Sequence, residues 1–115
     1  MNEGTGHEIH KLSKILVKVF SRIACVSFER EAELVQAITA HLKTSLYRYR
    51  YGIQLGNPML DDIKNEYGDL FEITSRACKY LEKEIEVPIP EGEIAYLTLH
   101  FGAFIIPGRE KKKSN

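Results

Sequence analysis

Two histidines of this chain sit in helix-forming segments, each with a charged residue seven positions away: Arg48 follows His41 and Glu93 precedes His100. Seven residues of α-helix make about two turns with roughly 20° of drift, so each imidazole shares a helix face with one charge. Imidazole is the side chain whose ordinary pKa lies near neutrality, and as the free base it is a nucleophile able to accept a phosphoryl group. Arginine offers a planar, permanently charged fork for phosphate oxygens, and on a helix it leans back toward the level of the histidine, although the axial offset is about 10 Å. Glu93 can orient an imidazole through a water or a neighbouring chain, or serve only as a first-turn acid favoured by the helix dipole. The plain alternative for both histidines is packing at the edge of a core. Two such sites in one small domain suggest a switch before they suggest an enzyme.

Other residues offer less. His7 and His10 lie one helical turn apart, but two imidazoles without a third ligand make a weak metal site, and none is assigned. There is no phosphate-binding glycine loop, nucleophile elbow or zinc-protease motif. Asp61, Asp62 and Glu66 read as solvated helix faces, and no cofactor is implied.

The 115 residues, 43% of them hydrophobic, are one domain by size, and a small one that gains by burying further surface in a dimer. The formal charge is zero, yet Arg109–Lys113 holds four basic residues and one acidic, leaving −3 on residues 1–108. Such a body is not a basic nucleic-acid surface. Cys25 and Cys78 form no CxxC pattern and are expected to be reduced core residues of a cytoplasmic protein. The candidate membrane stretch Ile15–Phe20 is broken by Lys18 and is far too short to span a bilayer, and no signal region opens the chain.

The elements that must position the histidines follow from periodicity. Ile9, Leu12, Ile15, Leu16, Val19, Ile23 and Val26 recur at three and four residues and predict a helix from about His7 to Ser27. Ala32, Leu34, Val35, Ile38, Leu42, Leu46 and Tyr49 carry a second helix from about Arg30 to Tyr51, ended by Gly52. Asn57-Pro58 starts a short third helix, with asparagine as N-cap, proline at the first helical position, and Asp61 and Asp62 close to the positive end of its dipole. Asp69 is expected to cap a fourth helix carried by Leu70, Ile73, Ala77, Tyr80, Leu81 and Ile85. A fifth begins near Pro90-Glu91-Gly92-Glu93, continues through Ile94, Leu97, Phe101, Phe104 and Ile105, and is expected to end at Pro107-Gly108. No segment alternates with period two for long enough to form a strand, so the fold class is all-α, a compact five-helix bundle. Residues 109–115 read as a flexible basic tail or the start of a linker.

The series His41-Leu42-Lys43, Arg48, Gly52, Asn57-Pro58-Met59-Leu60, Ile63, Tyr67, Leu70-Phe71 and Ile89-Pro90-Glu91-Gly92-Glu93-Ile94-Ala95-Tyr96-Leu97-Thr98-Leu99-His100-Phe101-Gly102-Ala103 resembles the PTS regulation domain, or PRD. The resemblance places that domain over residues 1–108. It implies a helical regulatory module, usually dimeric, of bacterial antiterminators and activators of sugar operons. It further implies that the phosphocarrier HPr or a sugar-specific enzyme II component phosphorylates the module on two histidines, which map to His41 and His100. Arg48, Glu93 and Asn57 are then supporting residues. The module would be a phosphoryl acceptor rather than a catalyst, would bind no nucleic acid itself, and would act on an output domain elsewhere in a longer polypeptide.

The motifs look more like those of mannitol- and mannose-type operon activators than those of RNA-binding antiterminators. Two departures stand out: Thr44-Ser45 where similar domains often carry Pro-Ala, and Gly68 where they carry proline. The competing readings are a phosphotransfer intermediate that passes its phosphate onward, and a dimerisation module whose histidines are structural.

Overall fold

The computed structural model describes the backbone of residues 2–53 and 56–114, and the side chains of residues 8–53 and 56–105. Five helices follow one another: α1 (Asn2–Ala24), α2 (Glu31–Arg50), α3 (Leu60–Glu66), α4 (Gly68–Ile85) and α5 (Glu91–Ser114). The bundle is all-α, as the periodicity predicts. α1 packs on α2 and α4, and α5 lies against α2, α3 and α4. No helix among the described residues is long and apolar enough to cross a membrane.

The buried face of α1 is Ile9, Ser13, Leu16, Val17 and Phe20, turned away from Ile23, which is exposed, so an apolar count alone misplaces the stripe. Ser13 fits there because its hydroxyl donates to the Ile9 carbonyl at 2.8 Å, leaving no unpaired polar group in the core. Phe20 stacks on Phe101 of α5 at 3.9 Å between ring centroids, and Phe28 tilts against both at 6.0 and 6.1 Å. Aromatic packing thus joins α1, the α1–α2 loop and α5. α2 contributes Leu34, Val35, Ile38 and Leu42, and α4 contributes Phe71, Thr74, Ala77, Cys78 and Leu81. Tyr80, expected in the α4 stripe, points outward at 50% exposure.

Several boundaries differ from the sequence reading, each for a local reason. α1 stops at Ala24 rather than Ser27 because Cys25 takes a left-handed φ of 58° and the Val26 N–H returns to the Ser21 carbonyl at 3.1 Å. This C-terminal lock usually recruits glycine. Cys25 is therefore an exposed turn residue, not core, whereas Cys78 is buried; both are free thiols. Gly52 ends α2 in the expected way, with φ 69° and the Ile53 N–H on the Arg48 carbonyl at 2.8 Å.

Asn57 acts two residues before the cap position of α3, its Oδ1 accepting the Met59 N–H at 2.9 Å. α4 begins at Gly68 with Tyr67 at its cap, so Asp69 stands inside the first turn and does not cap. The one-residue joint at Tyr67 leaves no room for a separate cap, since Tyr67 closes α3 and its carbonyl accepts the Phe71 N–H at 2.7 Å. α5 runs past Pro107-Gly108 to Ser114. Proline costs a helix interior about 3 kcal/mol, but the Arg109–Lys113 run that follows is made of good helix formers.

Candidate functional site

The site lies where the last three turns of α2 meet the first three of α5. His41, Ser45 and Arg48 are spaced i, i+4 and i+7, one face of α2, while Glu93, Tyr96 and His100 are spaced i, i+3 and i+7 along α5. Packing of α2 against α5 sets the two rows face to face. The first turn of α5 is fixed by two features. The Pro90 carbonyl accepts the N–H groups of Glu93 and Ile94 at 3.0 and 3.1 Å, and the Asn57 side-chain amide donates to the Gly92 carbonyl at 3.1 Å. Gly92 permits this approach, since a Cβ there would stand 3.3 Å from the Asn57 Cβ. Lys64 adds an exposed ion pair from α3 to Glu91 at 3.1 Å.

Glu93 is the hub. Its Oε1 accepts from His41 Nε2 at 2.6 Å and from the Ser45 hydroxyl at 2.5 Å, and its Oε2 accepts from Arg48 Nη2 at 3.0 Å. The side chains of Glu93, His41 and Arg48 are only 12, 17 and 19% exposed, so these bonds operate away from bulk water and are stronger for it. The hydrogen bond from His41 is the largest influence holding the Glu93 carboxyl down at about 2, against the cost of burial, with Ser45 and Arg48 adding to it. The carboxylate is therefore ionised throughout the neutral range.

His100 has a different setting. Its ring lies 5.8 Å from that of His41, edge to face, and Tyr96 stands 5.5 Å from His41 on the same row. No hydrogen bond fixes His100 among the described residues. Burial first, and the nearby His41 second, push its pKa below the ordinary histidine value, which favours the neutral, nucleophilic imidazole. An open hollow of about 420 Å³ beside His41 is lined by Thr44, Arg48, Gly56 and Tyr96.

The two candidate histidines are thus brought together, but their charges are redistributed. Arg48 reaches Glu93 rather than His41, and Glu93 holds His41 on the neighbouring helix rather than His100 on its own. Asn57 supports the site by anchoring the turn that carries Glu93. Ser45 and Tyr96 join the site although the charge spacing did not single them out; their signal was position, one turn beyond His41 and about one turn beyond Glu93. His10 is exposed on α1, and the His7 side chain lies outside the described residues. No group of three metal-ligating side chains occurs among the described residues.

Comparison with known proteins agrees with this architecture. Residues 14–104 match the profile of the PRD domain. Over 90 residues the chain is 37% identical to the transcriptional regulator ManR of Bacillus subtilis (strain 168), covering 78% of this chain and 14% of that protein. Over 107 residues it is 36% identical to the probable licABCH operon regulator of the same strain, covering 93% and 16%. It is 26% identical over 98 residues to that strain's transcription antiterminator LicT, covering 80% and 35%. The chain spans about a sixth of the length of the first two relatives. With five helices in this arrangement and a profile match over most of its length, the chain belongs to the PRD domain family.

Proposed function

We propose that this domain is the phosphorylation-controlled regulatory part of a cytoplasmic transcriptional regulator of sugar-utilisation genes, with His41 and His100 as phosphoryl acceptors. The observation that carries the reading is the juxtaposition of two imidazoles 5.8 Å apart, one on a carboxylate also held by an arginine. A phosphoryl group adds about two negative charges. Placed on His41 it competes with Glu93 for Arg48, and placed on His100 it sets new charge beside the same seam, so either event can repack α2 against α5. HPr and enzyme II components of the sugar phosphotransferase system are the expected donors, because those are the donors the family resemblance implies. The domain does no turnover chemistry in this reading; it records the phosphorylation state of its donors.

Self-association follows the same logic. Tyr96 and Leu99 flank His100 and are 36 and 37% exposed, so a homodimer contact near the histidines would bury apolar surface and sense the added charge. Incubation with phosphoenolpyruvate, enzyme I and HPr, with and without enzyme II proteins, followed by site mapping at alkaline pH, tests the reading. Phosphate on His41 and His100 supports it. Rapid stoichiometric passage of that phosphate to another protein would instead identify a transfer intermediate, and an intact dimer that accepts no phosphate would identify a structural module.

A further inference from the structure

The hydrogen bonds around Glu93 constrain which atom of His41 can react. A carboxylate only accepts hydrogen bonds, so the 2.6 Å contact requires His41 Nε2 to carry the proton. In the neutral ring that places the lone pair on Nδ1. We infer that the acceptor atom of His41 is Nδ1, selected by Glu93, which Ser45 and Arg48 hold in place. The inference rests on the proposal that His41 is phosphorylated and specifies the atom.

The alternative acceptor, Nε2, is blocked in two ways. Glu93 cannot turn away without releasing Arg48 Nη2 and the Ser45 hydroxyl, and a phosphoryl dianion on Nε2 would face the carboxylate it displaced. Nδ1 has no hydrogen-bond partner among the described residues, and no side-chain nitrogen or oxygen there is both fully buried and unpartnered. Nδ1 is therefore not fully enclosed, and His41 lines an open hollow at the seam. Ser45 is one of the departures from the family pattern, since similar domains often carry alanine at that place.

The transfer balances without another reactant. The Nδ1 lone pair forms the new bond to phosphorus, the bond from phosphorus to the donor atom breaks, and its electron pair leaves with the donor. The proton stays on Nε2 throughout, and the positive character that the ring gains is met by the Glu93 carboxylate. Glu93 is a positioning residue: it touches the ring and not the phosphoryl group.

Nuclear magnetic resonance on ¹⁵N-histidine-labelled protein tests this in two steps. Before phosphorylation, long-range ¹H–¹⁵N correlations of wild type should show His41 as the Nε2–H tautomer, favoured by roughly tenfold or more given a hydrogen bond to a charged acceptor. After phosphorylation through enzyme I and HPr or an enzyme II component, ¹⁵N–³¹P coupling should fall on Nδ1. Glu93→Ala should give mixed tautomers and phosphate on both nitrogens, and Glu93→Gln, which keeps the shape, should loosen the tautomer preference in the same direction. An Nδ1–H tautomer in wild type, or phosphorus on Nε2, would overturn the inference while leaving His41 an acceptor. Unchanged selectivity in both variants would overturn the role of Glu93. A His41 that never accepts phosphate would overturn the acceptor reading itself, and this inference with it.

Discussion

His41 and His100 are both half-buried, both on helices that form the α2–α5 seam and both seven residues from a charge, yet they are held differently. His41 is tied through Nε2 to a carboxylate with three donors, while His100 has only ring contacts and a pKa lowered by burial. The difference shows that a shared helix face determines which residues can act together, and helix packing decides which do. Glu93 and His100 share a face of α5, but the nearest imidazole to the carboxylate belongs to α2.

The largest effect should come from removing the hub. Glu93→Ala leaves a mostly buried guanidinium and an imidazole without their acceptor, and we expect a loss of roughly 2–3 kcal/mol in chemical denaturation. His100→Ala should cost less, because no hydrogen bond is broken. If the two variants lose equal stability, the contrast between the histidines is wrong.

Acid titration sharpens the same contrast, since the two groups act in separate windows. His100 has a folded pKa below its ordinary value near 6.5, so its contribution is present above that pH and is lost as the pH falls below it. Glu93 is lowered from 4.5 to about 2, so its contribution is present above 4.5 and is lost as the pH falls from there toward 2; a shift of that size corresponds to roughly 3 kcal/mol. Urea midpoints measured across pH should therefore fall in two stages. In Glu93→Gln the lower stage should shrink while the upper one remains.

Smaller effects should follow along the donor set. Arg48→Ala should cost about 1–2 kcal/mol, because its partner is a partly buried carboxylate rather than solvent. It should also weaken the response to phosphate at His41. A large stability loss with unchanged phosphorylation would make Arg48 purely structural. Ser45→Ala should cost about 1 kcal/mol or less, detectable as a modest upward movement of the Glu93 pKa; no movement would remove Ser45 from the site.

Much of this was legible in the sequence. Apolar residues spaced at three and four gave five helices, and Gly52 and Pro90 marked real boundaries because each has a conformational reason to stand there, whereas Asn57-Pro58 precede α3, whose cap is Met59. Helix ends set by tertiary geometry were less legible. Cys25 adopts a left-handed turn without being glycine, and Tyr67 serves two helices at once. The site residues were visible one at a time, but not the pairing across α2 and α5, because residues 41 and 93 meet only through the crossing of two helices. The sequence alone gives Ser45 no role, because its partner Glu93 lies 48 residues away on another helix.

The central claim is that His41 and His100 are the phosphoryl acceptors of this domain. The direct measurement is phosphate incorporation through the enzyme I cascade into wild type, His41→Ala, His100→Ala and the double variant, quantified at alkaline pH. The account predicts acid-labile phosphate on the wild type and on each single variant, and none on the double variant. Phosphate persisting in the double variant, or mapped to His7, His10 or a hydroxyl residue, would contradict it.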